Sequence, residues 1–486
     1  MKLFGTDGIR GEYGKGFFSD KENIFILGKA AASVLSRLCG HKRPSILIGR
    51  DTRESSCEIE KWLAAGFTSS GGGTVRARAV SCGVIPTPAV AWLTRTKKFS
   101  AGAVISASHN PYQDNGIKFF SSKGEKLDDK TENDIEKKWS TLSTIESRRA
   151  KVGVATEPRA FGGKFAALNS EPEEIRKSYI SDYITYLLST LPLSYKEQRT
   201  LLSGLKIAVD CANGSTSGLA GEIFTRLGAE IHIINNRPDG KNINDGCGSL
   251  HPECCAQVVK RTSAFAGMAF DGDGDRVIFI DEKGGIIDGD KIIAVCTRYL
   301  KSTGALKGRA VVATVMSNLG FIEYMRGLGV KLPLAAVGDR NVWEEMKKTG
   351  ALLGGEQSGH IIFKKFATTG DGLLTAIQFL YAIVSDKNTR GKPLSEAAGS
   401  IFEKYPQVLV NLRVRDKIPI DKIPGFKDAV RREEEILSGG KSGRGRIFVR
   451  YSGTEPILRI MVEGPDGKSI RDAANRLKEI YLKSVA

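Results

Sequence analysis

The chain has 486 residues, so at roughly 150 residues per domain it holds about three domains, with two to four all reasonable. Hydrophobic residues make up 41% and charged residues 26%, which excludes an intrinsically disordered chain; the 55 glycines follow no Gly-X-Y period, which excludes collagen. Lys plus Arg is 72 against 55 Asp plus Glu, and the resulting +17 favours anionic partners, from small phosphates to RNA to a lipid surface, without choosing among them.

Short β-branched runs alternate with amphipathic runs along most of the chain. Ser45–Ile48 predicts a buried strand and Glu58–Thr68 a helix, broken by Gly71-Gly72-Gly73 before a strand over Thr74–Val80. Ala101–Ile105 is another strand, ending in the polar loop Ser106–Asn115. Lys137–Pro172 is polar and charged and reads as a linker or peripheral insertion. Leu205–Val209, the loop Asp210–Ser217, a helix through Leu227 and a strand at Glu230–Ile234 repeat the theme, as do Arg309–Thr314 and the helix-like Asn318–Leu328. Strands alternating with helices argue for parallel, doubly wound α/β sheets, in blocks that begin near residues 1, 172 and 300. No strict repeat accompanies them, so internal duplication is a topological expectation only. The end of the chain differs: strands at Val408–Val414, Ile447–Arg450 and Leu458–Glu463 and a helix at Ile470–Lys483 predict a separate α+β domain.

No apolar run approaches the roughly 18–20 residues of a membrane helix. The N-terminus, Met1-Lys2-Leu3-Phe4-Gly5-Thr6-Asp7, lacks an apolar core of signal-peptide length. The eight cysteines form no C-x-x-C pair, and scattered thiols fit a reducing compartment. A cytoplasmic, unanchored protein is the expectation.

In parallel sheets ligands gather at the carboxyl ends of strands, and four loops there could carry chemistry. In Ser106-Ala107-Ser108-His109-Asn110-Pro111, small residues after a buried strand expose Ser108, a hydroxyl nucleophile with His109 and Lys118 as partners. A plain surface turn would use the same residue types. In Asp271-Gly272-Asp273-Gly274-Asp275-Arg276, three carboxylates at alternate positions can converge on a hard cation; Mg²⁺ suits such ligands plus a phosphate oxygen. An EF-hand loop is a rival because Glu282 stands twelfth from Asp271, but Arg276 occupies the obligatory glycine position and Val277–Ile280 is strand-like. A dehalogenase-type nucleophilic aspartate is another rival, with Asp275 where a threonine is usual. Gly354-Gly355-Glu356-Gln357-Ser358-Gly359-His360 offers donors and acceptors for vicinal sugar hydroxyls, or is a Gly-rich hairpin. Arg450-Tyr451-Ser452-Gly453-Thr454-Glu455-Pro456, with Arg459 following, can form an anion nest, or is a turn with one exposed arginine. The basic run Lys441–Arg450 lacks the aromatic platform of an RNA binder.

Together these four ordered loops resemble the α-D-phosphohexomutase family over nearly the whole chain. Leu3–Gly11 (LFGTDGIRG), Ser106–Phe120 (SASHNPYQDNGIKFF) and Glu356–His360 (EQSGH) look like the branch of that family that acts on glucosamine phosphates. The resemblance implies three related α/β domains and a C-terminal α+β domain around a central cleft. The corresponding division is a serine-loop domain over 1–171, a metal-loop domain over 172–299, a sugar-loop domain over 300–404 and a phosphate-binding domain over 405–486. It further implies that Ser108 is the phosphorylated serine, that Asp271, Asp273 and Asp275 hold Mg²⁺ with an oxygen of Ser108, and that Lys118, His109 and Arg10 assist catalysis. Arg276, Glu356, Ser358 and His360 would read the sugar; Arg450, Ser452, Gly453, Thr454 and Arg459 would hold the distal phosphate.

The implied reaction passes a phosphoryl group from Ser108 to a hexosamine phosphate, through a 1,6-bisphosphate, feeding UDP-N-acetylglucosamine synthesis. A mutase for mannose or glucose phosphates and a non-catalytic sugar-phosphate-binding regulator are the alternatives. No nucleic-acid or membrane partner is expected, and a homodimer stays open. Surplus length relative to typical bacterial members lies around Trp139–Glu174 and Ser194–Ser203.

Overall fold

The computed structural model describes residues 2–5, 7–40, 43–69, 76–151, 169–170, 173–439, 445–451 and 456–485. The chain forms two compact units, one made of Met1–Met316 with Val330–Ile401, the other of Ser317–Gly329 with Phe402–Ala486.

The first unit contains three sheets. The first is built from β1 (Phe4–Gly5), β2 (Gly8–Glu12), β3 (Ser45–Arg50), β4 (Arg78–Val84), β5 (Ala101–Ile105), β6 (Asp114–Ser121) and β7 (Asn169–Ser170), in the order β1-β2-β6-β5-β3-β4-β7. The second uses β8 (Lys206–Asp210), β9 (Glu230–Ile234), β10 (Ala266–Phe270), β11 (Val277–Asp281) and β12 (Ile286–Ile287), in the order β12-β11-β10-β8-β9. The third uses β13 (Val311–Thr314), β14 (Leu334–Ala335), β15 (Leu353–Gly355) and β16 (Ile361–Phe363), in the order β16-β15-β13-β14. Aligned on their first parallel strands, all three share one plan: β6-β5-β3-β4, β11-β10-β8-β9 and β16-β15-β13-β14. The expected duplication is therefore one of topology.

The sheets are mixed, not purely parallel. β3, β4 and β5 run parallel, but β6 returns antiparallel beside β5, β11 beside β10 and β16 beside β15. A parallel neighbour requires a crossover of a dozen or more residues, and the loops after β5, β10 and β15 are too short for one. Those three loops are the serine, aspartate and EQSGH segments. Each follows the carboxyl end of a buried strand and is pinned at both ends by the hairpin it closes.

Alternation within the strands decides how the first sheet is covered. Ile46, Ile48, Ala101, Ala103 and Ile105 face the core formed with the helices Lys21–Cys39 and Ser56–Thr68. The opposite face is covered by the helix Thr87–Thr96, which sits so close that a Cβ on Gly49 would meet Val90 at 2.4 Å and one on Gly102 would meet Thr94 at 2.5 Å. The strand over Thr74–Val80 instead begins at Arg78; residues 70–75 lie outside the described residues. The linker reading of Lys137–Pro172 is corrected in its first part, where one helix runs from Asp129 to Lys151. Its apolar stripe is narrow: Ile135, Trp139 and Leu142, at helical spacing, pack into the first core, and the Trp139 indole donates to the Asn23 carbonyl at 3.0 Å. A mostly charged composition hid that stripe.

The second unit is α+β, as expected. β17 (Gln407–Arg413), β18 (Arg446–Tyr451) and β19 (Ile457–Glu463) form an antiparallel sheet in the order β17-β19-β18, packed with the helices Phe426–Gly439 and Gly467–Val485 through Phe426, Ile460, Leu477 and Tyr481. The helix Leu319–Gly327 belongs to this unit. The fully buried Glu463 carboxylate accepts from the Leu319 amide at 2.9 Å, Gln407 Nε2 at 3.0 Å and Arg446 Nε at 2.6 Å. Removing one partner of such a buried pair costs about 3 kcal/mol. Glu463→Ala is therefore expected to speed amide exchange across Ile457–Glu463 by roughly two orders of magnitude, measured by hydrogen–deuterium exchange; unchanged protection would contradict this network.

Candidate active site

Ser108 stands at the tip of the loop after β5, in the left-handed region at φ 54°, and is 1% exposed. A non-glycine residue there carries roughly 1–2 kcal/mol of strain, which the surroundings must hold. The Ser108 amide donates to Ser106 Oγ at 2.9 Å. Its carbonyl accepts from Asn244 Nδ2 at 2.9 Å and from Arg53 Nη2 at 3.4 Å; the same two groups reach the Asn110 carbonyl at 3.0 and 2.6 Å. Arg53 is itself buried and paired with Asp51. Arg10 Nη1 donates to the Ala107 carbonyl at 2.5 Å. The loop is clamped by its backbone, which leaves the Ser108 hydroxyl to act.

That hydroxyl donates to Asp271 Oδ2 at 2.6 Å and lies 3.3 Å from His109 Nδ1. Burial, then Arg276 and Arg10, pushes the His109 ring down to about 4, so it is neutral near pH 7. Gly272 allows the close approach of the two loops, since a Cβ there would sit 2.7 Å from the Ser108 carbonyl oxygen.

Asp271, Asp273 and Asp275 are buried, and each offers one ligand atom within 4.8 Å of the others. Lys118, on β6 opposite Val104, approaches Asp7 at 3.0 Å, Asp273 at 3.2 Å and Asp275 at 3.9 Å. Burial opposes its charge, but these carboxylates outweigh it and raise its pKa. Burial, then Asp275 and Asp273, drives the Asp271 carboxyl well above the usual range. Burial pushes Asp275 the same way, yet His360, Lys118 and Arg276 together hold it well below the usual range. Among the described residues, Asp273 Oδ1 and Asp275 Oδ1 are buried and accept no hydrogen bond, though the Arg276 guanidinium stands 3.6 Å from Asp275 Oδ1. Buried carboxylate oxygens without donors, beside a third carboxylate pressed towards protonation, are what a hard cation would satisfy. The residues fit a divalent metal ion. Because the loop joins two strands, the EF-hand reading, which needs flanking helices, is excluded.

The sugar-loop residues divide. Arg276 and His360 form an antiparallel bridge between the second and third hairpins. His360 is 2% exposed; its Nε2 lies 2.9 Å from the Gly370 amide nitrogen and its Nδ1 3.4 Å from Asp275 Oδ2. Glu356 Oε1 accepts the Gly338 amide at 2.9 Å, and its Oε2 is 3.5 Å from Ser358 Oγ. Gln357 Nε2 donates to Asp288 Oδ2 at 3.2 Å. In the second unit, Arg450 on β18 lies directly opposite Arg459 on β19. Like charges in that register are unfavourable unless an anion or acid compensates them. Ser452, Gly453 and Thr454 lie outside the described residues.

Sequence reasoning assigned no role to Arg53, Thr87, Asn244, Lys126 or Asp339. Thr87 donates to Asp273 at 2.7 Å, and Lys126 pairs with both Asp7 and Asp339. Only the contiguity of Asp7 with the Leu3–Gly11 motif gave a local signal; Arg53 acts across more than 50 residues and Thr87, Asn244, Lys126 and Asp339 across more than 100. Among the described residues no helix is long and apolar enough to cross a membrane.

Four family descriptions match in chain order: Phosphoglucomutase/phosphomannomutase alpha/beta/alpha domain I over 1–146, domain II over 181–285, domain III over 288–405, and the C-terminal domain over 409–480. The chain is 44% identical over 484 residues to a phosphoglucosamine mutase of Geobacillus thermodenitrificans, and 45% identical over 484 residues to one of Geobacillus kaustophilus, covering 100% of this chain and 99% of each relative. A phosphoglucomutase/phosphomannomutase family protein from Burkholderia thailandensis shares the fold at TM-score 0.76 and 21% identity, over 99% of this chain and 97% of that one. An Aspergillus fumigatus N-acetylphosphoglucosamine mutase, solved with GlcNAc-6P and magnesium, does so at TM-score 0.63 and 16% identity, over 100% and 96%. With four matching domains in order and full-length relatives at this identity, the chain belongs to the phosphoglucomutase/phosphomannomutase family, the α-D-phosphohexomutases.

Proposed function

We propose that the chain is a phosphoglucosamine mutase that interconverts glucosamine 6-phosphate and glucosamine 1-phosphate, supplying UDP-N-acetylglucosamine synthesis. The choice of sugar rests on the full-length relatives named for that activity. The observation that carries the chemistry is the Ser108 hydroxyl, 2.6 Å from a carboxylate of the buried aspartate cluster.

In this reading phospho-Ser108 gives its phosphoryl group to the free hydroxyl of the sugar phosphate, the 1,6-bisphosphate turns around, and the other phosphoryl group returns to Ser108. Asp271, Asp273 and Asp275, with an oxygen of Ser108, would hold Mg²⁺, which supplies positive charge against the transferring group. Lys118, Arg10 and Arg276 add fixed positive charge where burial makes it effective. We assign His109, neutral and 3.3 Å from Ser108 Oγ, to proton exchange with the carrier hydroxyl. Lys118 is assigned to charge stabilisation, because three carboxylates surround its ammonium group. Glu356 and Ser358 are assigned to the sugar hydroxyls, and His360 to the boundary between sugar and metal. Arg450, Ser452, Gly453, Thr454 and Arg459 are assigned to the distal phosphate, which alternates between the 1- and 6-positions as the bisphosphate turns.

Domains over 1–171, 172–299, 300–404 and 405–486 remain our division for these four tasks. The eight cysteines are all free, which supports a cytoplasmic location.

Parallel assays with glucosamine, glucose and mannose 6-phosphates, each with a trace of the matching 1,6-bisphosphate, test the substrate. The expected result is a kcat/KM for glucosamine 6-phosphate about tenfold or more above the other two. The reverse order would reassign the enzyme to hexose phosphates, and no turnover on any sugar would favour a binding protein. Stripping divalent ions with EDTA is expected to abolish turnover and added Mg²⁺ to restore it; full activity after chelation would contradict the metal assignment.

A further inference from the structure

Thr87 opens the helix Thr87–Thr96 on the far face of the first sheet and is fully buried. Its amide donates to the Asp273 carbonyl at 2.9 Å, so an otherwise unpaired first-turn N–H of that helix is satisfied by the aspartate loop of another sheet. Its hydroxyl donates to Asp273 Oδ2 at 2.7 Å. Gly49 and Gly102, by letting the helix sit close to the sheet, contribute to this reach.

The two oxygens of Asp273 are thereby made unequal. Oδ2 is held by Thr87 and approached by Lys118 at 3.2 Å, whereas Oδ1 is buried with no donor among the described residues. The terminal torsion of an aspartate is broad and two-fold, so the backbone alone does not choose which oxygen faces inward. Lys118 is a weak selector, because its Nζ is shared among Asp7, Asp273 and Asp275. The Thr87 hydroxyl makes the shortest of the contacts to Oδ2.

We propose that Thr87 is a positioning residue for the metal centre: by holding Oδ2 it turns Oδ1 of Asp273 toward a divalent cation shared with Asp271 and Asp275. The inference rests on the reading that this triad binds such a cation. It also makes cation affinity depend on the docking of the serine-loop domain against the aspartate loop. Groups that orient a metal ligand typically change affinity by about 10–100-fold when removed.

The test is Mn²⁺ binding to the full chain without sugar, read from the electron paramagnetic resonance signal of the free ion, with Ser108 phosphorylation matched by intact mass. Thr87→Val removes the hydroxyl and keeps shape and the backbone bond; Thr87→Ala removes it without crowding the site if the valine variant is unstable in a metal-free thermal scan. Both are expected to bind Mn²⁺ about 10–100-fold more weakly, and Thr87→Ser close to wild type. Wild-type affinity in Thr87→Val or Thr87→Ala would overturn the proposal, as would a Thr87→Ser as weak as either. If the wild-type chain itself binds no Mn²⁺, the metal reading falls, and the role of Thr87 with it.

Discussion

The contact between the Ser108 hydroxyl and Asp271, 2.6 Å long and buried, is the interaction on which the rest depends. A phosphoryl carrier is useful only if its oxygen sits beside concentrated, compensable charge. The serine loop belongs to the first sheet and the aspartates to the second, so this contact exists only while the two are docked. Much of the surrounding structure serves that docking: Asn244 reaches the serine-loop carbonyls from the second sheet's side, Gly272 removes the side chain that would hold the loops apart, and Thr87 reaches across to Asp273, while Arg53 braces the same carbonyls from within the first domain.

The same topology explains why chemistry collects here. In each of the three related sheets a buried strand delivers a short loop at its carboxyl end and an antiparallel strand takes the chain straight back. Such a loop has both ends fixed, so its few residues can be held in conformations that a free loop would not keep, as Ser108 is at φ 54°. The Arg276–His360 bridge then ties the second hairpin to the third, which places His360 Nδ1 3.4 Å from Asp275 Oδ2. Electrostatics follow from this convergence. Lys118 keeps its charge and His109 loses its own, within one cluster, because carboxylates surround the first while burial and two arginines surround the second.

The loops themselves were legible in sequence because their residue types are improbable elsewhere: three aspartates spaced by glycines, or serine and histidine between small residues, after apolar runs of strand length. The α+β character of the C-terminal segment was legible from its three apolar strand runs and the final helix, while the helix Phe426–Gly439 between β17 and β18 went unread. What was not legible depends on distance along the chain. Thr87 sits in an ordinary helix start, Pro86-Thr87-Pro88, and gains meaning only from Asp273; Asn244 and Arg53 are likewise defined by what they touch. Val277–Ile280 was legible as a strand, but the antiparallel return of all three hairpins was not, because alternating strand and helix patterns suggest crossovers. The helix through Trp139 and Leu142 was read as a linker because its polar faces outweigh one narrow apolar stripe.

The central claim is that Ser108 carries a phosphoryl group reversibly. Intact mass of the purified protein, before and after phosphatase, followed by peptide mapping, measures this without reference to any particular sugar. The account predicts one removable phosphoryl group on the peptide containing Ser108, regained on incubation with a hexosamine 1,6-bisphosphate and absent from Ser108→Ala. A chain that turns over substrate while Ser108 stays unmodified, or that carries the group on another residue, would contradict it.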